Sequence, residues 1–132
     1  MRVKPIRHLL FAELILTILI VEDNAAVRRL LRHAVAPVAN CIWECEDGDK
    51  ALAIYEEHRP DVVLMDIRMS RLDGLAAMKQ IRHFDPAARV IIVTAYDDNS
   101  LRNAAREAGS CAYVLKENLL DLAQIVLSVI AA

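Results

Sequence analysis

The sequence predicts an α/β fold in which five parallel strands form a doubly wound sheet with helices on both faces. Apolar segments of strand length alternate five times with segments of helical periodicity. Four of the five are nearly continuous in Val, Ile and Leu, which is typical of parallel strands buried on both faces. The fifth, Cys-Ile-Trp-Glu-Cys, suits a sheet edge. The predicted strands span 15–21, 41–45, 62–65, 90–93 and 112–115.

Five helices are predicted after these strands, at 24–36, 48–58, 73–83, 98–108 and 118–130. Asn24 is a suitable N-cap for the first helix, and Glu117 or Asn118 can open the last. Gly109 lies where a C-cap is expected. Prolines can end helices without damage in the helix-to-strand connections, where we find Pro37, Pro60 and Pro86. Repeated β-α units of this kind wind with right-handed crossovers.

The composition indicates one ordered domain with no nucleic-acid surface. The chain has 132 residues, of which 56% are hydrophobic and 26% charged, so a disordered tail is excluded. A net charge of −2 gives no basic footprint for DNA or RNA. The cysteines Cys41, Cys45 and Cys111 are odd in number, and their spacing matches no zinc or redox pattern. We expect reduced thiols packed in the core of a cytoplasmic protein.

The N-terminus resembles a signal peptide only in outline. Arg2, Lys4 and Arg7 precede an apolar stretch, but Glu13 interrupts it and two acidic residues follow it directly. The stretch is also too short to cross a bilayer as a helix. We therefore expect no membrane segment, an N-terminal extension over 1–14 and the domain over 15–132.

Charged and hydroxyl side chains follow four of the five predicted strands. Glu22 and Asp23 follow the first, Asp66 the third, Thr94 the fourth and Lys116 the fifth. The carboxyl ends of parallel strands meet at one edge, where open α/β sheets bind ligands. Three close carboxylates repel one another unless a cation such as Mg²⁺ lies among them. With Thr94 and Lys116 as phosphate contacts and Asp66 as nucleophile, the pattern predicts phosphoryl transfer.

Four motifs around these residues resemble the receiver domain of bacterial two-component response regulators, and the chemotaxis regulators in particular. The resemblance covers about residues 15–130. The motifs are Ile-Leu-Ile-Val-Glu22-Asp23-Asn24, Val-Val-Leu-Met-Asp66-Ile-Arg-Met, Ile-Ile-Val-Thr94-Ala95 and Tyr113-Val-Leu-Lys116. It implies a flavodoxin-like (βα)5 fold with strand order 2-1-3-4-5.

The resemblance also implies the chemistry of the site. Asp66 would accept a phosphoryl group from a sensor histidine kinase or a histidine phosphotransfer protein. Glu22, Asp23, Asp66 and the backbone carbonyl of Arg68 would bind Mg²⁺. Such a domain promotes its own phosphorylation and dephosphorylation and is not an enzyme acting on a separate substrate.

The remaining matched residues would stabilise and sense the phosphoryl group. Thr94 and Lys116 would contact its oxygens. Tyr113 would turn inward as Thr94 moves towards phosphate, which would switch the surface near the fourth helix, fifth strand and fifth helix. The chain has Lys116-Glu117 where the family usually has Lys-Pro, which favours a trans bond. It also has Met69 followed by serine where the family usually has Met-Pro.

Several functional alternatives stay open. The chain can be a stand-alone receiver, the receiver portion of a DNA-binding transcriptional regulator whose output domain lies outside it, or a receiver that is never phosphorylated. A dehalogenase-type phosphatase would need an aspartate at the position of Arg68. Leu120 and Leu127 lie one heptad apart, outside the apolar face of the last helix, so they are either ordinary exposed leucines or a homodimer contact. The first helix has a basic side for solvent or an acidic partner, formed by Arg28, Arg29, Arg32 and His33.

Overall fold

The computed structural model describes residues 15–69 and 71–132, and these form the predicted five-stranded parallel sheet. The strand order β2-β1-β3-β4-β5 confirms the doubly wound topology. The strands are β1 Thr17–Val21, β2 Cys41–Cys45, β3 Val62–Met65, β4 Val90–Thr94 and β5 Ala112–Leu115. The helices are α1 Ala25–Val35, α2 Gly48–His58, α3 Gly74–Phe84, α4 Asn99–Glu107 and α5 Leu122–Ala131, with a 3-10 helix at Lys116–Asp121.

The sheet separates two apolar cores because successive side chains of a strand point to opposite faces. β3 and β4 are buried along their whole length, as continuous apolar runs predict. One core packs α2 and α3 on the sheet and includes Leu19, Val63, Met65, Met78 and Ile92. The other packs α1 and α5 on the opposite face and includes Ile18, Leu31, Ile91, Leu122 and Val126.

Two predicted boundaries differ from the structure by more than one residue. β1 begins at Thr17, since the Leu16 amide donates to the side chain of Asn40 at 2.7 Å and Ile15 is exposed. The last helix is not continuous from residue 118. Asn118 has non-helical dihedral angles within the 3-10 segment, so α5 begins only at Leu122 and neither predicted opening residue caps it.

The predicted caps of α1 and α4 are confirmed. The Asn24 side chain accepts a hydrogen bond from the Val27 amide at 3.0 Å. Gly109 has a φ of 99° just after α4, a conformation that favours glycine. The structure describes no cis peptide bond in 15–69 and 71–132, so the Lys116–Glu117 bond is trans.

The cysteines are free thiols, but only one lies fully in the core. Cys45 is buried and its Sγ donates to the Asp47 carbonyl oxygen at 2.9 Å, while burial raises the pKa of its thiol. Cys41 is partly buried. Cys111 is exposed, contrary to the prediction, because it lies in the connection that precedes β5.

The basic side of α1 is partly used within the domain. Glu44 of β2 accepts from Nε of Arg28 at 3.1 Å and from Nε of Arg32 at 2.7 Å. These two arginines therefore connect α1 to the edge strand.

The predicted extension over 1–14 lies outside the described residues. Within the described part of the chain, no helix has the length and apolar character needed to cross a membrane.

Candidate functional site

The three acidic residues predicted to converge do meet at the carboxyl edge of the sheet. Glu22 and Asp23 follow β1 and Asp66 follows β3, and one carboxylate oxygen of each lies within 4.8 Å of the others. Glu22 and Asp66 are only 1% and 4% exposed, whereas Asp23 is exposed to solvent. The site is thus a pair of buried carboxylates with a third at its mouth.

Lys116 provides the positive charge at this cluster. Its Nζ lies 2.8 Å from Glu22 Oε1 and 3.2 Å from Asp66 Oδ2. The residue follows β5 at the start of the 3-10 helix, which directs its side chain across the strand ends. The trans bond to Glu117 therefore leaves Lys116 directed at Asp66.

Burial dominates the electrostatics of the two inner carboxylates. It raises the pKa of Asp66 and of Glu22, against the opposing effect of Lys116. Burial also lowers the pKa of Lys116, but its contacts with Glu22 and Asp66 outweigh this and the net pKa is raised. The Lys116 ammonium therefore stays charged, and it offsets only part of the cost of burying the carboxylates of Glu22 and Asp66.

The donor set at this edge fits a hard divalent cation. Glu22 Oε2 accepts a hydrogen bond from the Asn24 amide at 3.1 Å. The buried Oε1 has only its ion pair with Lys116 and no hydrogen bond of standard geometry. One oxygen from each of the three carboxylates lies close enough to the others to share one ion, and Mg²⁺ prefers such oxygen ligands. The residues present therefore fit Mg²⁺ on chemical grounds.

Two glycines hold the loop that follows Asp66, a role that sequence reasoning missed. The Gly74 amide donates to the Ile67 carbonyl oxygen at 2.7 Å, and a Cβ at Gly74 would overlap the Asp66 carbonyl oxygen. A Cβ at Gly48 would overlap the Leu72 carbonyl oxygen. The chain has only three glycines, and two of them directly follow acidic residues, at Asp47-Gly48 and Asp73-Gly74. These positions were the signal from which a close backbone contact could have been predicted.

Thr94 and Tyr113 are joined through the backbone of Tyr96. Thr94 is fully buried, and its Oγ1 accepts from the Tyr96 amide at 3.3 Å. The Tyr113 hydroxyl donates to the Tyr96 carbonyl oxygen at 2.6 Å. The Arg68 guanidinium lies over the Tyr96 ring, 4.7 Å from its centroid. The two predicted switch residues therefore both bond the backbone of Tyr96, a residue that the sequence did not single out.

Known proteins resemble this chain in sequence and in structure. Residues 18–127 match the family model described as response regulator receiver domain. The chain is 36% identical over 100 residues to chemotaxis protein CheY of Bacillus subtilis, which covers 75% of this chain and 83% of that protein. It is 39% identical over 104 residues to regulatory protein AtoC of Escherichia coli, covering 79% of this chain but 23% of that protein.

Two solved structures extend the comparison. A two-component response regulator of the LuxR family from Aurantimonas sp. SI85-9A1 superposes with a TM-score of 0.83 at 30% identity, over 89% of this chain and 86% of that chain. A chain in the CheX-CheY-BeF3-Mg complex from Borrelia burgdorferi superposes with a TM-score of 0.81 at 29% identity, over 89% and 91%.

Proposed function

The chain belongs to the response regulator receiver family, and from this premise we propose that Asp66 is its phosphoacceptor. The observation that carries the proposal is the pairing of a carboxylate that is 4% exposed with the ammonium of Lys116 at 3.2 Å. An anionic nucleophile beside a fixed cation suits attack on a phosphoryl group, whose oxygens carry negative charge.

The proposed step transfers one phosphoryl group from a phosphohistidine. An Asp66 oxygen attacks phosphorus, the phosphorus–nitrogen bond breaks, and its electron pair stays on the imidazole nitrogen, which takes a proton from solvent. The product is an aspartyl phosphate. Lys116 and the Thr94 hydroxyl would each contact a phosphoryl oxygen. The domain would therefore act as a signalling phosphoacceptor rather than as an enzyme with a separate substrate.

Glu22, Asp23, Asp66 and the backbone carbonyl of Arg68 would hold Mg²⁺ at this site. When bound, the ion neutralises negative charge on the carboxylates and on the phosphoryl oxygens. The convergence of three carboxylate oxygens within 4.8 Å and the buried Glu22 Oε1 support this assignment.

The phosphodonor would be a sensor histidine kinase or a histidine phosphotransfer protein, acting in the cytoplasm. The free thiols support a reducing compartment. Phosphorylation would move Thr94 and select the inward position of Tyr113, and so change the surface formed by α4, β5 and α5. Leu120 is fully exposed and Leu127 is 40% exposed, which supports a homodimer contact near the last helix.

A second function is the receiver portion of a DNA-binding transcriptional regulator. The observation that favours it is the match to AtoC, of which this chain covers 23%. In that case the switched surface would contact an output domain. The chemistry at Asp66 would be the same in both cases.

Intact-mass spectrometry tests the central proposal. The chain is incubated with acetyl phosphate and Mg²⁺ beside an Asp66→Asn variant and a sample containing a chelator. We expect one labile phosphoryl group on the wild type and none on either control. A wild type without an adduct, under conditions where Mg²⁺ binding is measured by calorimetry, would show that this receiver is not phosphorylated.

A further inference from the structure

The solvent side of the Tyr113 ring is covered by an arginine that the phosphoryl chemistry does not use. The Arg102 guanidinium carbon lies 4.5 Å from the ring centroid, well within the range of a cation–π contact. Arg102 is itself held, because its Nε and Nη2 both donate to Asp97 Oδ1, at 3.1 and 3.0 Å. We call Arg102, Asp97 and Tyr113 the Arg102 latch.

The other end of the latch reaches the phosphorylation site. The Tyr113 hydroxyl donates to the Tyr96 carbonyl oxygen, and the Tyr96 amide donates to Thr94 Oγ1. Two groups, the backbone of Tyr96 and the side chain of Tyr113, therefore connect the buried hydroxyl of Thr94 to Arg102 on α4. A change at Thr94 can reach α4 along this route.

Few apolar contacts hold α4 on the sheet. Its only buried residue is Ala105, and Leu101 is the partly buried apolar residue in its first half. Other residues of the helix are mostly polar or charged. The contact of Arg102 with Tyr113 is therefore a substantial part of what fixes the first half of α4 against β5.

We propose that Arg102 is the positioning residue that holds Tyr113 in its bonded position and couples it to α4, an inference that rests on the proposed phosphorylation of Asp66. When Thr94 Oγ1 turns to a phosphoryl oxygen, the Tyr96 amide loses its partner. The hydrogen bond from the Tyr113 hydroxyl to the Tyr96 carbonyl oxygen then remains to hold the Tyr96 backbone. The Arg102 latch maintains that hydrogen bond and thereby favours the phosphorylated state.

The test measures the affinity of the full chain for beryllofluoride with Mg²⁺, a stable mimic of the phosphoryl group on a carboxylate, by fluorine NMR. Removing an exposed cation–π contact in Arg102→Met should weaken the affinity by about two- to five-fold. Arg102→Lys keeps the charge and should recover most of the loss. Arg106→Met is the matched control, since Arg106 is exposed one turn along α4 and its Nη2 donates to Asn103 Oδ1 on the same helix.

The decisive comparison uses a Tyr113→Leu background. If Arg102 acts through Tyr113, Arg102→Met has no effect on the affinity once Tyr113 is replaced. An unchanged or tighter affinity in Arg102→Met, or an equal loss in the Tyr113→Leu background, overturns the proposal.

A wild type that does not bind beryllofluoride refutes the phosphoacceptor proposal instead. The Arg102 latch is then judged by urea unfolding, without Mg²⁺, of four proteins: the wild type, Arg102→Met, Tyr113→Leu and the double variant. A coupling between Arg102 and Tyr113 of about two- to five-fold in the unfolding constant supports the latch. A coupling below that range rejects it.

Discussion

Replacing Asp66 by asparagine should stabilise the domain in the absence of divalent cations. At neutral pH the ionised Asp66 is buried beside Glu22, and burial raises its pKa. A carboxyl group with a raised folded-state pKa stabilises the fold only at low pH, and its contribution is lost as the pH rises through that value. The ionised form therefore costs stability at neutral pH, and an amide of the same shape removes that cost.

The contacts of Asp66 give the magnitude. At an effective dielectric constant of about 20, the 3.2 Å contact with Lys116 attracts by about 5 kcal/mol. Repulsion from Glu22, whose nearest carboxylate oxygen lies within 4.8 Å, is at least about 3.5 kcal/mol. Desolvation of a buried carboxylate adds several kcal/mol of cost and exceeds the difference. We expect Asp66→Asn to stabilise by about 1–2 kcal/mol, since Lys116 keeps its pairing with Glu22.

Thermal unfolding with a chelator and then with increasing Mg²⁺ measures this effect. The expected gain corresponds to a midpoint about 3–8 °C above the wild type with chelator. Mg²⁺ should stabilise the wild type more than the variant and so reduce or reverse the difference. Asp23→Asn, at the exposed acid, is the control and should change the midpoint less. A variant less stable than the wild type in chelator would refute the reasoning.

Three further predictions concern the loop, the edge strand and the last helix. Gly74→Ala should lower the free energy of unfolding by about 3 kcal/mol in urea, because the new Cβ overlaps the Asp66 carbonyl oxygen; a neutral effect would contradict this packing. The Arg32 hydrogen bond holds the pKa of Glu44 below its ordinary value, so Glu44→Gln should cost about 0.5–1 kcal/mol at neutral pH. That cost should disappear as the pH falls through the lowered pKa, and a pH-independent cost would exclude the ion pair as its cause. Leu120→Glu should leave unfolding unchanged within about 0.5 kcal/mol and abolish any dimer seen by sedimentation, whereas a persistent dimer would exclude this contact.

The sequence was sufficient for the parts of the fold that depend on local pattern. The continuous apolar runs of β3 and β5 were predicted with correct bounds. β3 is buried along its whole length, and a strand buried on both faces admits few polar residues. β5 lies at the sheet edge and its first two residues are only partly buried. The convergence of Glu22, Asp66 and Lys116 followed from parallel topology, which brings all strand ends to one edge.

Features that depend on contacts between distant loops could not be predicted. Thr94 lies at the end of β4 and Tyr113 lies on β5, and no spacing in the chain indicates that both form hydrogen bonds with the backbone of Tyr96. The late start of α5 depends on the backbone of Asn118, whose residue type also suits a helix opening. Cys111 lies in an apolar stretch of sequence, yet a loop position exposes it.

The scarcity of apolar burial on α4 has a consequence for how stability is distributed over the domain. With Ala105 as its one buried residue and Leu101 packed beside it, α4 can open locally while exposing only the small part of the core that it covers. The amide protons of α4 should then exchange with solvent through local unfolding, whereas those of β3 and β4 should exchange only through global unfolding. The sheet thus serves as a rigid reference against which one lightly held helix can change position at low energetic cost.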